Sequence, residues 1–368
     1  MRRKKVALIF GGRSGEHMAS LRSAASIMEA IDKDIYEVVL VGITREGRWF
    51  SGSDIWSALW DNHSPRHSAR AALLIDPTSP GLLLQKTNTL TEWSFQPLDL
   101  AFPILHGTYG EDGTIQGLLE MAGLPYVGSD VLASSVAMDK VVMKILFQQH
   151  GLPVTPYLYF NRAEWESDNQ VWLERIKGEI GFPCFVKPAN LGSSVGINKV
   201  HRAAYLVEAV KEALLYDDKI IVEAHIDGRE LECSVIGDID IHVSCPGEIV
   251  PCNEFYDYKA KYLDSRTRLI IPAEIENAFV KQLKKLSIQA FRTVEACGLA
   301  RVDFFLRLRD RQILVNEINT MPGFTYTSMY PKLWEASGIK YSELIDRLLK
   351  IAEERFQRRQ SLLFSPPE

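Results

Sequence analysis

No two of the five cysteines (Cys184, Cys233, Cys245, Cys252 and Cys297) stand in a C-x-x-C pair, and their odd number leaves one over. That excludes a fully paired disulfide framework and a zinc knuckle, and it points to free thiols in a reducing compartment. Long apolar runs are also missing. A membrane helix needs roughly 20 consecutive apolar residues, and no segment approaches that. The basic start, Met1 to Lys5, is followed by an apolar run that reaches only from Val6 to Phe10 before Gly11-Gly12 breaks it. A secretory signal needs about 7–15 such residues. We therefore expect a cytoplasmic protein with no membrane partner. There is no basic excess either: 42 Lys and Arg stand against 47 Asp and Glu, a net charge of −5. This argues against a general nucleic-acid binder, although it leaves room for local basic pockets. Internal repeats and low-complexity tracts are absent.

What remains is globular: 46% hydrophobic and 24% charged residues over 368 positions. At about 100–200 residues per domain, that length holds two to three domains. The run KVALIF at 5–10 reads as a buried strand. A helical pattern follows to about residue 30, with Leu21, Ala24, Ala25, Met28 and Ile31 on one face, and YEVVLVGI at 36–43 reads as a second strand. This βαβ opening predicts a parallel sheet with helices on its faces. Residues 44–96 read as an excursion with one or two helices and a small hairpin. Further strands are expected at 98–105, 182–188, 197–200, 220–223, 230–237, 300–308 and 312–319. Helices are expected at 129–151, 273–298 and 342–359. The fold class is α/β (α+β), with soft domain boundaries near residues 132 and 226.

Five constellations carry chemistry. The clearest is Arg301-Val-Asp303 on one strand and Glu317-Ile-Asn319 on the next. Residues i and i+2 of a strand share a face. If the two strands pair, three oxygen donors meet beside an arginine, and hard oxygen donors suit Mg²⁺. An ordinary solvated sheet face is the alternative, but Val302, Phe304 and Ile318 mark the opposite face as buried.

The second is Lys187-Pro-Ala-Asn-Leu-Gly-Ser-Ser-Val-Gly196, a small-residue loop whose backbone can approach phosphate oxygens. It is not a Walker A loop, because the lysine precedes the glycines. Glu16, in Gly11-Gly-Arg-Ser-Gly-Glu-His17, sits where a helix start stabilises a carboxylate. The same Gly-Gly turn lacks the third glycine of a dinucleotide fingerprint, which removes a hydride-transfer reading. His106 opens His106-Gly-Thr-Tyr-Gly-Glu-Asp-Gly113 at a strand's carboxyl end, where α/β sites collect. Lastly, Phe255-Tyr-Asp-Tyr-Lys-Ala-Lys-Tyr262 falls in a polar stretch, 247–266, that reads either as a lid or as a solvated loop.

In order and spacing, these five motifs closely resemble the D-alanine–D-alanine ligases of bacterial cell-wall synthesis, in their longer form, from Gly11 to about Pro331. The resemblance implies a three-domain ATP-grasp fold: an N-terminal substrate domain over 1–132, a central subdomain over 133–226, and a C-terminal subdomain over 227–368 that carries the metal site and the lid. It implies that Lys140, in Ala137-Met-Asp-Lys140, and Lys187 touch the ATP phosphates. Glu223, Ala224 and Ile226 would line the adenine pocket, Glu230 would hold the ribose, Phe255 would cover the nucleotide and Lys261 would meet the γ-phosphate. Asp303, Glu317 and Asn319 would hold two Mg²⁺ (or Mn²⁺) ions.

For the two D-alanine molecules, Glu16 would take the first ammonium, with His106 near its carboxylate. Arg301 and the backbone at Gly323 would stabilise the oxyanion. Ser328 and Met329 would bind the second carboxylate, and Ser193 and Tyr262 would link to Glu16. The reaction implied is dipeptide synthesis through a D-alanyl phosphate by a homodimeric enzyme. A D-lactate or D-serine acceptor is the alternative, with Tyr262 and Ser328 as the discriminating positions. Where the family usually reads Glu-His-Glu-Val-Ser, this chain has Glu16-His-Met-Ala-Ser20.

Overall fold

The computed structural model describes residues 2–85, 91–192, 195–250 and 267–363. The first of its sheets is built around Lys4–Gly11, which is sealed on both faces from Val6 to Phe10. Burial on both faces is why this run is continuously apolar rather than alternating. The strand pairs in parallel with Tyr36–Ile43 on one side and Leu100–Pro103 on the other, with helix His17–Ala30 crossing between the first two. The expected βαβ opening is therefore present.

The excursion at 44–96 holds an expected helix, Ile55–Trp60, but its strands depart from expectation. Instead of a small hairpin set apart, Trp49–Ser51, Ala69–Leu74, Gly81–Gln85 and Trp93–Pro97 extend the same sheet antiparallel, in an order that makes it seven-stranded. These strands are short, so their period of two runs for too few residues to stand out from the loops around them.

The second sheet is antiparallel, in the order Asn198–Val200, Cys184–Pro188, Lys219–Ala224, Tyr157–Asn161. The single helix expected over 129–151 is two helices, Val131–Met138 and Lys140–Gln149. Asp139 breaks it. Its backbone is extended, and its carboxylate accepts from the N–H groups of Val141 and Val142 at 3.0 and 3.1 Å. This is an N-cap that starts the second helix at Lys140. The break also lets the Lys140 N–H donate to the Ala189 carbonyl at 3.1 Å, at the root of the Gly/Ser loop.

In the third sheet, Gly228–Gly237 pairs along its length with Gly298–Arg307, which in turn pairs with Ile313–Asn319. Gly247–Val250 and Arg268–Ile270 complete the other side. Helix Asn277–Thr293 packs Leu283, Ala290 and Phe291 against this sheet.

The last helix, Tyr341–Gln360, does not stay with the third sheet alone. Its Leu344, Ile345, Leu348, Leu349 and Ala352 join Val6, Leu8, Phe10 and Leu21 in one core. At its rim, Lys4 pairs with Glu353 at 2.6 Å, and the Tyr36 hydroxyl donates to Asp346 at 2.9 Å. The first and last elements of the chain thus close over the same apolar cluster.

Candidate active site

The three sheets converge on a cavity of about 1020 Å³. Glu16 and His106 reach it from the first unit. Lys140, Lys187, Glu223, Ala224 and Ile226 reach it from the second. Glu230, Arg301, Asp303, Glu317, Asn319, Gly323, Ser328 and Met329 reach it from the third. Ser193, Phe255, Lys261 and Tyr262 lie outside the described residues.

The strand pair expected at 300–319 forms, and its register sets the site's charges in two rows. Arg301 faces Asn319 and Ser234, while Asp303 faces Glu317 and Glu232. A bulge between Asp303 and Phe304 marks the place, as bulges often do beside sites. The Arg301 guanidinium forks onto Asp303, with Nε to Oδ1 and Nη2 to Oδ2 both at 2.7 Å, and its Nε lies 2.9 Å from Glu232. Burial disfavours the charge on Arg301, but Asp303 and Glu232 outweigh it and hold the guanidinium charged. Asn319 Nδ2 donates to Asp303 at 3.0 Å.

Among the described residues, no three His, Cys, Asp or Glu side chains are grouped to hold a metal ion. The donor set here is two carboxylates, Asp303 and Glu317, plus the amide oxygen of Asn319. All three are hard oxygen donors, and Mg²⁺ takes few protein ligands because waters and phosphates complete its shell. The residues fit the ion.

At the first unit's edge, the Glu16 carboxylate lies against two glycines. A Cβ on Gly107 would stand 2.5 Å from Glu16 Oε2, and one on Gly192 would stand 3.0 Å from it. Gly107 also has φ +74°. Gly107→Ala is expected to cost about 1–2 kcal/mol from the backbone alone and to push Glu16 from its place. An unchanged thermal melt would show that the loop absorbs the methyl group.

His106 is buried with both ring nitrogens engaged. Nδ1 lies 3.0 Å from the Met321 carbonyl, and Nε2 lies 3.0 Å from Ser23 Oγ, which itself accepts from the Phe324 N–H at 3.3 Å. A carbonyl only accepts, so the proton sits on Nδ1 and Ser23 donates to Nε2. Burial lowers the imidazole's proton affinity, which keeps it neutral. His106 thus ties the first unit to the 321–324 loop. Next to it, the Gly107 N–H donates to Glu111 at 2.7 Å. Burial, and then the charge of Glu16, push the Glu111 carboxyl well above the usual range.

In the central unit, Glu223 is clasped by two lysines. Lys144 reaches Oε1 at 2.7 Å, and Lys187 closes on Oε2. Burial opposes the charge on Glu223, but the two ammoniums overcome it and hold the carboxyl well below the carboxylate range. A depressed folded pKa contributes stability above the unfolded value of about 4.3, and that stability is lost as pH falls toward the folded value. Glu223→Gln is therefore expected to flatten the acid limb of stability, measured by urea unfolding from about pH 5 to about pH 3. An unchanged slope would remove Glu223 as a source of acid lability. Lys140 Nζ donates to the Leu191 carbonyl at 2.7 Å, which fixes the loop that follows Lys187.

Beside Gly323, Ser328 Oγ accepts from the Thr325 N–H at 3.1 Å. Met329 begins the helix Met329–Ala336, and its side chain is buried with Ile249 and Leu333. What Met329 offers the cavity is therefore the backbone of a helix N-terminus, a natural seat for a carboxylate.

Sequence reasoning gave no role to Lys144, Glu111 or Glu232. The signals were there. Lys144 follows Lys140 by four residues, on one face of a helix. Glu232 follows Glu230 by two on a strand, and Glu111 lies inside the His106–Gly113 run.

Three α/β units that close a lysine-lined, carboxylate-bearing cavity define an ATP-grasp enzyme. Residues 5–129 match the family described as D-ala D-ala ligase N-terminus, and residues 146–350 match D-ala D-ala ligase C-terminus. The D-alanine–D-alanine ligase of Heliobacterium modesticaldum is 49% identical over 360 residues, covering 98% of this chain and 97% of that one. That of Natranaerobius thermophilus is 44% identical over 365 residues, covering 98% and 97%. Among solved structures, the VanG D-Ala:D-Ser ligase from Enterococcus faecalis superposes with TM-score 0.84 at 33% identity, over 95% of this chain and 100% of that one. The D-alanine–D-alanine ligase from Coxiella burnetii superposes with TM-score 0.82 at 35% identity, over 98% and 97%. The chain belongs to the D-alanine–D-alanine ligase family.

Proposed function

We propose that the chain joins two D-alanine molecules into D-alanyl-D-alanine with ATP as co-substrate, as a step of peptidoglycan precursor synthesis in the cytoplasm. The observation that carries this reading is the placement of Arg301, Asp303, Glu317 and Asn319 on one sheet face, in the same cavity as Lys140 and Lys187. A carboxylate is a poor acyl donor, and its activation as an acyl phosphate is mostly positioning and charge neutralisation.

Asp303, Glu317 and Asn319 would hold Mg²⁺ or Mn²⁺, two ions, whose contribution when bound is to neutralise phosphate charge. Lys140 and Lys187 face the phosphates, with Lys261 on the transferring one. Glu223, Ala224 and Ile226 line the adenine pocket, Glu230 holds the ribose, and Phe255 covers the nucleotide. Glu16 binds the first ammonium. Its pose rests on Gly107, and Ser193 and Tyr262 extend its hydrogen-bonded link. His106 stands beside the first carboxylate and holds the 321–324 loop. Arg301 and the Gly323 backbone receive the developing oxyanion, which demands donors already aimed at it. Ser328 and the Met329 N–H seat the second carboxylate. Three domains, over 1–132, 133–226 and 227–368, and a homodimer complete the reading.

The likeness to a D-Ala:D-Ser ligase supports a second reading, in which the acceptor is D-serine. One experiment separates the two. Phosphate release is followed with D-alanine, L-alanine, D-alanine plus D-serine, or D-alanine plus D-lactate, and products are identified by mass. D-alanyl-D-alanine as the main product in every D-alanine mixture supports the first reading. A mixed product that dominates overturns it.

A further inference from the structure

The two lysines on Glu223 are not equivalent. Lys144 Nζ donates to Glu223 Oε1 at 2.7 Å, to Thr155 Oγ1 at 2.9 Å and to the Asn316 carbonyl at 2.9 Å. An ammonium has three protons, so this one is saturated. Its side chain is only 1% exposed, so no ligand reaches it. Lys187 holds the other oxygen, Oε2, and otherwise lies over the Phe185 ring at 5.5 Å. It lines the cavity that Lys144 does not.

We propose that Lys144 is a positioning residue: a resident counter-ion that keeps Glu223 compensated when Lys187 leaves it for a phosphate. This rests on the reading of Lys187 as a phosphate ligand. A carboxylate as buried as Glu223, 3% exposed, is strongly disfavoured without a cation. With Lys187 as its only cation, departure to ATP would orphan the carboxylate, and the pair would act as a latch against nucleotide binding. Lys144 already occupies Oε1, and Thr155 passes a further hydrogen bond to the same oxygen at 3.1 Å. Lys187 is therefore released at small cost. Asn316 precedes Glu317, so the same ammonium also ties the latch to the strand that carries the metal donors.

The test is a cycle of variants in the full chain: K144M, E223Q, K144M/E223Q and K187M. Each is assayed for KM of ATP, for KM of D-alanine and for direct binding of Mg-ATP without D-alanine. K144M is expected to raise the KM of ATP and weaken Mg-ATP binding at least about tenfold, the scale of one charge-assisted hydrogen bond, with the KM of D-alanine unchanged. Adding E223Q removes the carboxylate that traps Lys187, so K144M/E223Q should match E223Q alone in ATP affinity. That comparison stands even if K144M does not fold, because the double variant leaves no buried carboxylate without a cation. Additive losses in the double variant, or K144M with parental ATP affinity, would overturn the proposal. K187M with parental ATP affinity would instead overturn the phosphate role of Lys187, a distinct failure.

Discussion

Glu317→Ala is expected to lower ATP-dependent turnover by at least about 10²–10³-fold, the scale of losing one preorganised electrostatic group, while the protein stays folded. Glu317 stands across from Asp303, and Glu232 lies on the far side of Asp303. Three carboxylates in a row repel one another, and Arg301 forks onto Asp303 and approaches Glu232. Taking Glu317 away relieves that repulsion and also removes its attraction to Arg301, Lys144 and Lys187, so the protein should stay folded. A fold held intact, together with lost turnover that excess Mg²⁺ does not restore, identifies a ligand rather than a scaffold residue. Near-parental turnover across an Mg²⁺ titration would take Glu317 out of the metal set.

Arg301→Met should act in both directions at once. The guanidinium is the shared partner of two buried carboxylates, Asp303 and Glu232. Removing one member of such a cluster leaves uncompensated charge and costs about 3–5 kcal/mol, visible as an early urea midpoint. Arg301→Lys separates that loss from the chemistry. It keeps the charge but not the planar fork, so most of the stability should remain. kcat should still fall about 10²-fold if the guanidinium is the oxyanion donor. A lysine variant with parental kcat would show that charge alone suffices and would reassign the oxyanion to other donors.

The juxtaposition of Arg301, Asp303, Glu317 and Asn319 was legible because a strand's period of two is short and unforgiving. Arg301 with Asp303, and Glu317 with Asn319, had to share faces, and the register brought the two pairs together. The opening strand was legible because Gly11-Gly12 ends an unbroken apolar run. What escaped depends on depth or on distant contacts. Lys144 shares a helix face with Lys140, but only the third dimension shows that Thr155, Asn316 and Glu223 surround it. Asp139 reads as one polar residue within a long helix, yet its side chain competes for the backbone and splits that helix in two. The extension of the first sheet was missed because strands as short as Trp49–Ser51 carry too little alternation to register.

The apolar cluster closed by the last helix also bears on synthesis at the ribosome. Val6, Leu8 and Phe10, with Leu21, Ala24 and Ile27 of the next helix, are translated early, but the last members of their cluster, Leu344 to Ala352, emerge near the end. At about 5–20 residues per second, the nascent first sheet waits on the order of 10–50 s with that cluster incomplete. Across that interval its apolar side is open to chaperones and to other nascent chains. Deleting the last helix would therefore be felt first as aggregation of the N-terminal half, before any loss of catalysis could be measured.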